Sequence, residues 1–146
     1  MVYISKSTSE TEAVGRSLAA HLEKSGKRSA FISLTGEMGV GKTAFTRGFA
    51  SHFGISSVKS PTYTVVNEYH GKVDIFHFDM YRIESEDDLY SIGFDDYIAR
   101  EGYAISEWSE NVMDALPEDR ICVDISRVSG NENERRIEIQ NENSLI

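Results

Sequence analysis

The chain contains 146 residues, of which 40% are hydrophobic and 27% charged, and its formal net charge is −9. This length and composition are typical of one domain around one hydrophobic core and exclude two separate domains. No apolar run reaches the ~20 residues of a membrane helix, and the N-terminus lacks the pattern of a signal peptide, so we expect a cytoplasmic protein. The single cysteine, Cys122, excludes a disulfide framework and a thiolate metal site. The negative charge argues against direct binding of nucleic acid, because such binding normally requires a basic patch that neutralises phosphates.

A helix and a buried strand are predicted in the first 35 residues. After an extended start, Ser9 and Glu12 form a capping-box pattern, and apolar residues then recur at four-residue spacing up to Gly26. This spacing is typical of an amphipathic helix that ends at a glycine. Residues 30–35 form a short apolar run, as expected for a strand in the centre of a sheet.

The loop that follows this strand matches the P-loop pattern, with the residues Gly36, Glu37, Met38, Gly39, Val40, Gly41, Lys42 and Thr43. Glycines allow backbone conformations that a Cβ atom forbids, so that successive N–H groups point at phosphate oxygens. Lys42 supplies a cation for the β- and γ-phosphates, Thr43 offers a hydroxyl to Mg²⁺, and the following helix adds its positive end. The pattern therefore predicts binding of a nucleoside triphosphate with Mg²⁺.

The remaining elements alternate between helices and strands. From Lys42 the spacing of three phenylalanines predicts a helix that Gly54 ends. The sequence then predicts a β-hairpin of residues 63–69 and 73–78, helices over 85–92 and 94–100, a strand over 103–106 that ends on Glu107, a short helix before Pro117, and a closing hairpin of residues 121–128 and 136–140 around a polar turn at 129–133. We expect residues 141–146 to form a mobile tail. The element order predicts a single α/β domain over residues 1–146, with the three-layer P-loop NTPase fold, a mixed central sheet and helices on both faces.

Two acidic residues are candidate partners for the metal ion, which P-loop proteins usually bind at the end of an apolar strand. Asp79 follows the apolar residues 75–78, and Glu107 follows residues 103–106. For either residue alone, a solvated carboxylate at a strand end is the simpler interpretation, but a P-loop requires an acid on the metal side. Both are therefore candidate Mg²⁺ ligands, and the sequence leaves open which of them binds the ion directly.

A candidate switch lies between the P-loop helix and the next strand. Thr62, in the run Ser60-Pro61-Thr62-Tyr63, occupies the position where nucleoside triphosphatases often place a residue that contacts Mg²⁺ or the γ-phosphate. On spacing alone, a proline turn with a hydroxyl cap is the simpler interpretation. The sequence contains no Asn-Lys-x-Asp guanine reader, which favours ATP over GTP. Of the four histidines, which lack the spacing of metal ligands, only His77 lies close to a candidate acid.

Four blocks, in the same order along the chain, resemble the TsaE (YjeE-type) P-loop ATPases of bacterial tRNA threonylcarbamoyladenosine biosynthesis. The blocks are residues 36–43, the run Val58-Lys59-Ser60-Pro61-Thr62-Tyr63-Thr64, the run His77-Phe78-Asp79-Met80-Tyr81-Arg82, and the pair Glu107-Trp108. The resemblance implies a small Mg²⁺-dependent ATPase that works with the TsaB–TsaD pair, in which TsaD transfers a threonylcarbamoyl group to the adenosine beside the anticodon. It also implies contact with tRNA only through that complex.

The resemblance assigns roles to individual residues. It implies that Lys42 is the phosphate lysine, that Thr43 is a Mg²⁺ ligand, and that Thr62 is a switch residue. It makes Asp79 and Glu107 the acids that bind the metal or position water. Three further residues are expected beside the nucleotide, and these are Trp108 as a wall of the site or as core packing, and Thr11 and Arg136 near the base.

Two other functions and one residue role stay open at the level of sequence. A small-metabolite kinase shares the P-loop, although no basic pocket for a phosphate acceptor is evident. A non-hydrolysing module would use ATP only to dock a partner. An arginine finger comes either from a partner or from one of four arginines, Arg82, Arg127, Arg135 and Arg136. Oligomeric state and the docking face are likewise undetermined.

Overall fold

The computed structural model describes residues 1–56, 58 and 65–141. The strands are β1 (Val2–Ser5), β2 (Ala30–Thr35), β3 (Val66–His70), β4 (Asp74–Asp79), β5 (Tyr103–Glu107), β6 (Ile121–Val128) and β7 (Asn131–Gln140). The helices are α1 (Thr8–Lys24), α2 (Lys42–Ser51), α3 (Glu86–Ser91), α4 (Phe94–Ala99) and a 3₁₀ helix over Glu110–Ala115. None of the helices in these described ranges combines the length and the apolar character needed to cross a bilayer.

One mixed sheet contains all seven strands, in the order β1-β7-β6-β2-β5-β4-β3. The four strands β6, β2, β5 and β4 are parallel, whereas β7, β3 and β1 pair with their neighbours in the antiparallel sense. Parallel strands end at the same edge of a sheet, so the loops after β2, β4 and β5 emerge side by side. In open α/β sheets, this edge is where ligands bind.

The core consists of two apolar clusters, one on each side of the sheet. In β2, Ile32 and Leu34 belong to the cluster that contains α1 and α2, whereas Phe31 belongs to the cluster on the opposite side. This division follows from the alternation of side chains along a strand. The second cluster includes residues of α3, α4 and the 3₁₀ helix, namely Leu89, Phe94 and Val112. The sheet therefore lies between two helical layers, and the predicted three-layer α/β fold is confirmed.

The helices α1 and α2 pack with their backbones in close contact. A Cβ atom added at Gly48 would lie 1.9 Å from the carbonyl oxygen of Glu12, and one added at Gly15 would lie 2.2 Å from that of Phe45. Neither position has room for a side chain. This contact fixes where α2 lies on the sheet, and it therefore also fixes the loop that enters α2.

The predicted ends of these two helices need correction. Helix α1 begins at Thr8, because the Ser7 hydroxyl accepts a hydrogen bond from the Glu10 N–H at 3.1 Å and Ser7 is the N-cap. The proposed cap at Ser9 is therefore wrong, since Ser9 lies inside the helix. Helix α2 ends at Ser51, three residues before the predicted stop at Gly54, and a turn follows it.

The closing hairpin is longer than predicted. Strand β7 begins at Asn131, so part of the predicted polar turn at 129–133 is strand, and the turn itself is Ser129–Gly130. Pairing with β6 supplies backbone hydrogen bonds that override the low strand propensity of this polar segment. The predicted switch residue Thr62, the start of the first hairpin at 63–64 and residues 142–146 of the tail lie outside the described residues.

Candidate nucleotide-binding site

The P-loop connects β2 to α2 at the carboxyl edge of the sheet. Gly36 and Gly41 have φ values of 145° and 119°, which residues with a Cβ atom rarely adopt. A Cβ atom at Gly36 would also lie 2.4 Å from the carbonyl oxygen of Ile125 in β6. Gly41 is the N-cap of α2 and has no side chain to cover the N–H groups of the first turn. The loop therefore leaves the positive end of α2 open to an anion.

Lys42 lies inside this loop, and the residue is only 5% exposed. Its Nζ donates a hydrogen bond to the Gly36 carbonyl oxygen at 2.8 Å and lies 3.6 Å from the centroid of the Trp108 ring. Burial lowers the pKa of the Lys42 ammonium below its usual value of 10.5, although neighbouring carboxylates, Glu107 first among them, act in the opposite direction. The lysine is thus a cation kept close to the centre of the loop.

The two predicted acids meet at the ends of neighbouring strands. Asp79 of β4 and Glu107 of β5 are directly paired in the parallel register. Glu107 is buried, whereas Asp79 is half-buried and its Oδ1 accepts a hydrogen bond from the Tyr81 N–H at 3.0 Å. The strand pairing thus brings together two carboxylates that lie 28 positions apart in the sequence.

These acids and the half-buried hydroxyl-bearing Thr43 offer the oxygen ligands that Mg²⁺ prefers. Within the described part of the chain, no group of three or more His, Cys, Asp or Glu side chains is arranged to hold a metal by itself. The paired carboxylates of Asp79 and Glu107 fit Mg²⁺, which usually takes one or two carboxylates and completes its shell with phosphate oxygens and water.

A buried histidine contacts one of these acids. The His77 Nε2 lies 2.5 Å from the Glu107 Oε2, and both residues are buried. The sequence showed only that His77 is near Asp79, because the two residues are two positions apart. Its contact with Glu107 depends on the pairing of β4 with β5.

Trp108 contacts the lysine of the P-loop. Its backbone φ is 59°, an uncommon value for a residue with a large side chain. The ring lies under the Lys42 ammonium and meets the Tyr81 ring edge-on, with 5.6 Å between the ring centroids. Of the two interpretations of Trp108 from the sequence, these contacts favour the site wall over core packing.

A cavity of about 360 Å³ lies beside the P-loop, on its α1 side. Thr11 lines this cavity together with Gly41, and its hydroxyl lies 2.7 Å from the Ser5 hydroxyl. Arg135 also lines the cavity, whereas Arg136 is exposed and pairs with Glu138 at 3.4 Å. The sequence analysis chose Arg136 and missed Arg135. The alternation of side chains along a strand could have identified Arg135, because residue 135 shares a face with the apolar, buried Ile137.

Two arginines of the β6–β7 hairpin bind the backbone of the P-loop. The Arg127 Nη2 donates to the Met38 carbonyl oxygen at 3.2 Å, and the Arg135 Nε donates to the Val40 carbonyl oxygen at 3.0 Å. Arg127 also lies 3.6 Å from the exposed Glu37 carboxylate. Two of the four arginine-finger candidates therefore contact the loop from its own chain.

Comparison with known proteins gives a family. Residues 5–137 match the family model described as "Threonylcarbamoyl adenosine biosynthesis protein TsaE". The chain is 36% identical to the tRNA threonylcarbamoyladenosine biosynthesis protein TsaE of Bacillus subtilis, over 86% of this chain and 77% of the relative. It is 41% identical to the protein of the same name from Haemophilus influenzae, over 74% and 67% of the two chains.

The fold is similar to that of a solved structure. The crystal structure of Bacillus subtilis YdiB superposes with a TM-score of 0.77 and 27% sequence identity, over 99% of this chain and 90% of the other. Together with a P-loop, a buried lysine and paired carboxylates at one sheet edge, the match over nearly the whole sequence places the chain in the TsaE family of tRNA threonylcarbamoyladenosine biosynthesis proteins.

Proposed function

We propose that this protein binds ATP with Mg²⁺ and hydrolyses it as an accessory protein of the TsaB–TsaD pair, which forms the threonylcarbamoyl modification on the adenosine beside the tRNA anticodon. Membership of the TsaE family supports the role in this pathway. The observation that carries the proposed hydrolysis is the convergence of Lys42, Asp79 and Glu107 beside the P-loop.

Each residue of the site has a proposed part in the reaction. Lys42 would bind the β- and γ-phosphates, with the backbone N–H groups of residues 36–43 around them. Thr43 would hold Mg²⁺ together with Asp79 or Glu107, and the bound ion would neutralise charge on the phosphates. The acid that does not bind the metal directly would orient the attacking water, and Thr62 would sense the γ-phosphate.

The nucleoside would lie in the cavity beside the P-loop. Thr11 and Gly41 line that cavity, and Trp108 borders the phosphate side of the site through its contact with Lys42. We propose Arg135 as the contact to the nucleoside in place of Arg136, because Arg135 faces the cavity. Contact with tRNA would occur through the TsaB–TsaD complex in the cytoplasm, since a net charge of −9 opposes direct binding to phosphates.

Release of phosphate from Mg²⁺-ATP tests the proposal, both for the chain alone and with purified TsaB and TsaD. We expect slow release alone and faster release with the partners. The changes Lys42→Ala and Glu107→Ala should each lower the rate about 100-fold or more. Lys42→Ala removes the positive charge that binds the phosphates, and Glu107→Ala removes the negative charge that faces the metal. Exposed residues away from the site provide matched controls, Lys24→Ala and Glu118→Ala, which should keep the parent rate.

Three other outcomes would contradict the proposal. Equal rates for the parent and both site variants would mean that the site is wrong. Transfer of labelled phosphate to a small molecule instead of water would indicate a kinase. An ATP pool that stays unchanged with the full complex, together with tight ATP-dependent association, would indicate a docking module that does not hydrolyse ATP.

A further inference from the structure

His77 of β4, beside the site, is fully buried although one of its polar ring nitrogens has no hydrogen-bond partner among the described residues. His77 is 0% exposed, and the only hydrogen bond of its side chain among the described residues joins Nε2 to the Glu107 Oε2. Its other ring nitrogen, Nδ1, is buried and has no hydrogen-bond partner in the described part of the chain. Burying an unpartnered polar atom destabilises the folded state, and an apolar side chain of similar volume would avoid that cost. Core packing alone therefore does not explain a histidine at this position.

The direction of the hydrogen bond follows from the chemistry of a cation ligand. A carboxylate that offers an oxygen to a cation has no hydrogen to donate and only accepts hydrogen bonds. The hydrogen therefore belongs to Nε2 of His77, which donates it to Oε2. The second carboxylate oxygen of Glu107, Oε1, is the one available to a cation.

The neighbouring acid is anchored in the same manner. The Tyr81 N–H donates to Oδ1 of Asp79 at 3.0 Å, which leaves Oδ2 for a cation. Residues of β4 and of the turn after it thus hold one oxygen of each acid. Groups that hold metal ligands in this way reduce the number of side-chain orientations that binding must select.

We propose that His77 is a positioning residue that fixes the Glu107 carboxylate so that Oε1 faces the Mg²⁺ that accompanies the nucleotide. This inference rests on the proposed function only in that the site binds a nucleotide with Mg²⁺. It does not require hydrolysis.

The test is the Mg²⁺ requirement of nucleotide binding. Calorimetric titration with a non-hydrolysable ATP analogue, at a series of Mg²⁺ concentrations and in EDTA, measures it for each variant. We expect His77→Leu to raise about tenfold the Mg²⁺ concentration that gives half of the full increase in nucleotide affinity, because Glu107 then loses the hydrogen bond that holds it. Affinity in EDTA should stay at the parent value, since the phosphate contacts of Lys42 and the loop are intact.

A conservative variant separates positioning from packing. In His77→Gln the amide nitrogen donates from nearly the same place as Nε2, so most of the parent Mg²⁺ dependence should return. His77→Asn is too short to reach Glu107 and should behave like His77→Leu, and it replaces that variant if His77→Leu does not fold. The exposed His70 on the adjacent strand provides a control, His70→Leu, which should match the parent.

Nuclear magnetic resonance gives a second readout on the protein without nucleotide. The His77 Nε2–H is buried and held by Glu107, so the parent should show a slowly exchanging signal for this proton. The signal should disappear in His77→Leu and shift in Glu107→Gln.

Two outcomes overturn the inference about His77 alone. One is a parent-like Mg²⁺ requirement in the variants that lack a donor. The other is an equal loss in His77→Gln and His77→Asn, which would indicate packing. A failure to release phosphate, with the expected Mg²⁺ dependence of binding, would contradict only the proposed hydrolysis. A parent protein whose nucleotide affinity does not change with Mg²⁺ would contradict both proposals.

Discussion

Lys42 is a charged residue in a place where charge is costly. Its side chain is buried between the P-loop backbone and the Trp108 ring, and it donates a hydrogen bond to the Gly36 carbonyl oxygen. Burial lowers its pKa, which means that the folded chain binds this proton less tightly than the unfolded chain does. The anionic phosphates of a nucleotide would compensate the buried charge, so the same burial that weakens the empty protein favours ligand binding.

This lowered pKa predicts how stability changes with pH. Between the pKa of folded Lys42 and its usual value of 10.5, the unfolded chain binds more protons, so the free energy of unfolding rises with pH. In Lys42→Met this contribution is absent. We therefore expect the stability of the parent minus that of Lys42→Met to be constant at low pH and to increase as pH rises through the lowered pKa towards 10.5. Urea denaturation without nucleotide at several pH values measures the difference, and a difference that falls over this range would contradict the prediction.

The sequence predicted the position of some residues of the candidate site but not of others. Lys42, Asp79 and Glu107 follow from a local pattern and from the ends of apolar strands, and they lie together. Arg136 does not face the cavity, because one step along a strand reverses the face, and the polar segment before it gave little sign of where the strand began. Thr62 lies outside the described residues and stays a prediction.

At the scale of elements, the contact between α1 and α2 determines the position of the P-loop. Both helices were recognised from apolar spacing, but that spacing shows only which stripe of a helix is buried. The closeness of the two axes depends on Gly15 and Gly48, which meet the backbone of the opposite helix. A side chain at either position would move α2 and the loop at its N-terminus.

The change Gly48→Ala tests this contact. Its new Cβ atom would lie 1.9 Å from the Glu12 carbonyl oxygen, a backbone atom that cannot rotate away. We expect a loss of about 3 kcal/mol in the free energy of unfolding and weaker nucleotide binding, because the helices must separate. Chemical denaturation and calorimetric titration measure the two effects.

A matched control separates this overlap from backbone strain. Gly54 has a φ of +80° and open space around it, so Gly54→Ala should cost about 1–2 kcal/mol from strain alone. Nucleotide binding by that variant should stay at the parent value. If Gly48→Ala were as stable as the parent, the close approach of the helices would be wrong.

The start of α1 shows where local patterns are ambiguous. Ser7 and Glu10 have the same spacing as Ser9 and Glu12, so two capping boxes overlap in the sequence. The structure uses the first, because Thr11 is buried and its hydroxyl lies 2.7 Å from that of Ser5, the last residue of β1. The contact between the end of β1 and Thr11 therefore fixes where α1 begins.

At the scale of the whole molecule, the net charge predicts how strongly the chain alone binds tRNA. With a formal charge of −9, the chain should bind tRNA alone more weakly than about 10 µM at physiological salt, since non-specific affinity comes from cations that neutralise phosphates. Adding TsaB and TsaD should produce tRNA-containing complexes that retain this chain. Filter binding with labelled tRNA measures both, and tight salt-dependent binding by the chain alone would contradict the prediction.

The sequence by itself determined the P-loop, the order of helices and strands and the α/β class. These features depend on residues close together in the chain, where glycine spacing and apolar periodicity report directly on backbone conformation. The tertiary structure alone decided that Asp79 pairs with Glu107, that His77 contacts Glu107 across 30 positions, and that Arg135 reaches Val40 across 95 positions. The physical reason is that such contacts depend on strand order and register, which arise from packing the whole sheet between its two helical layers and which no local pattern encodes.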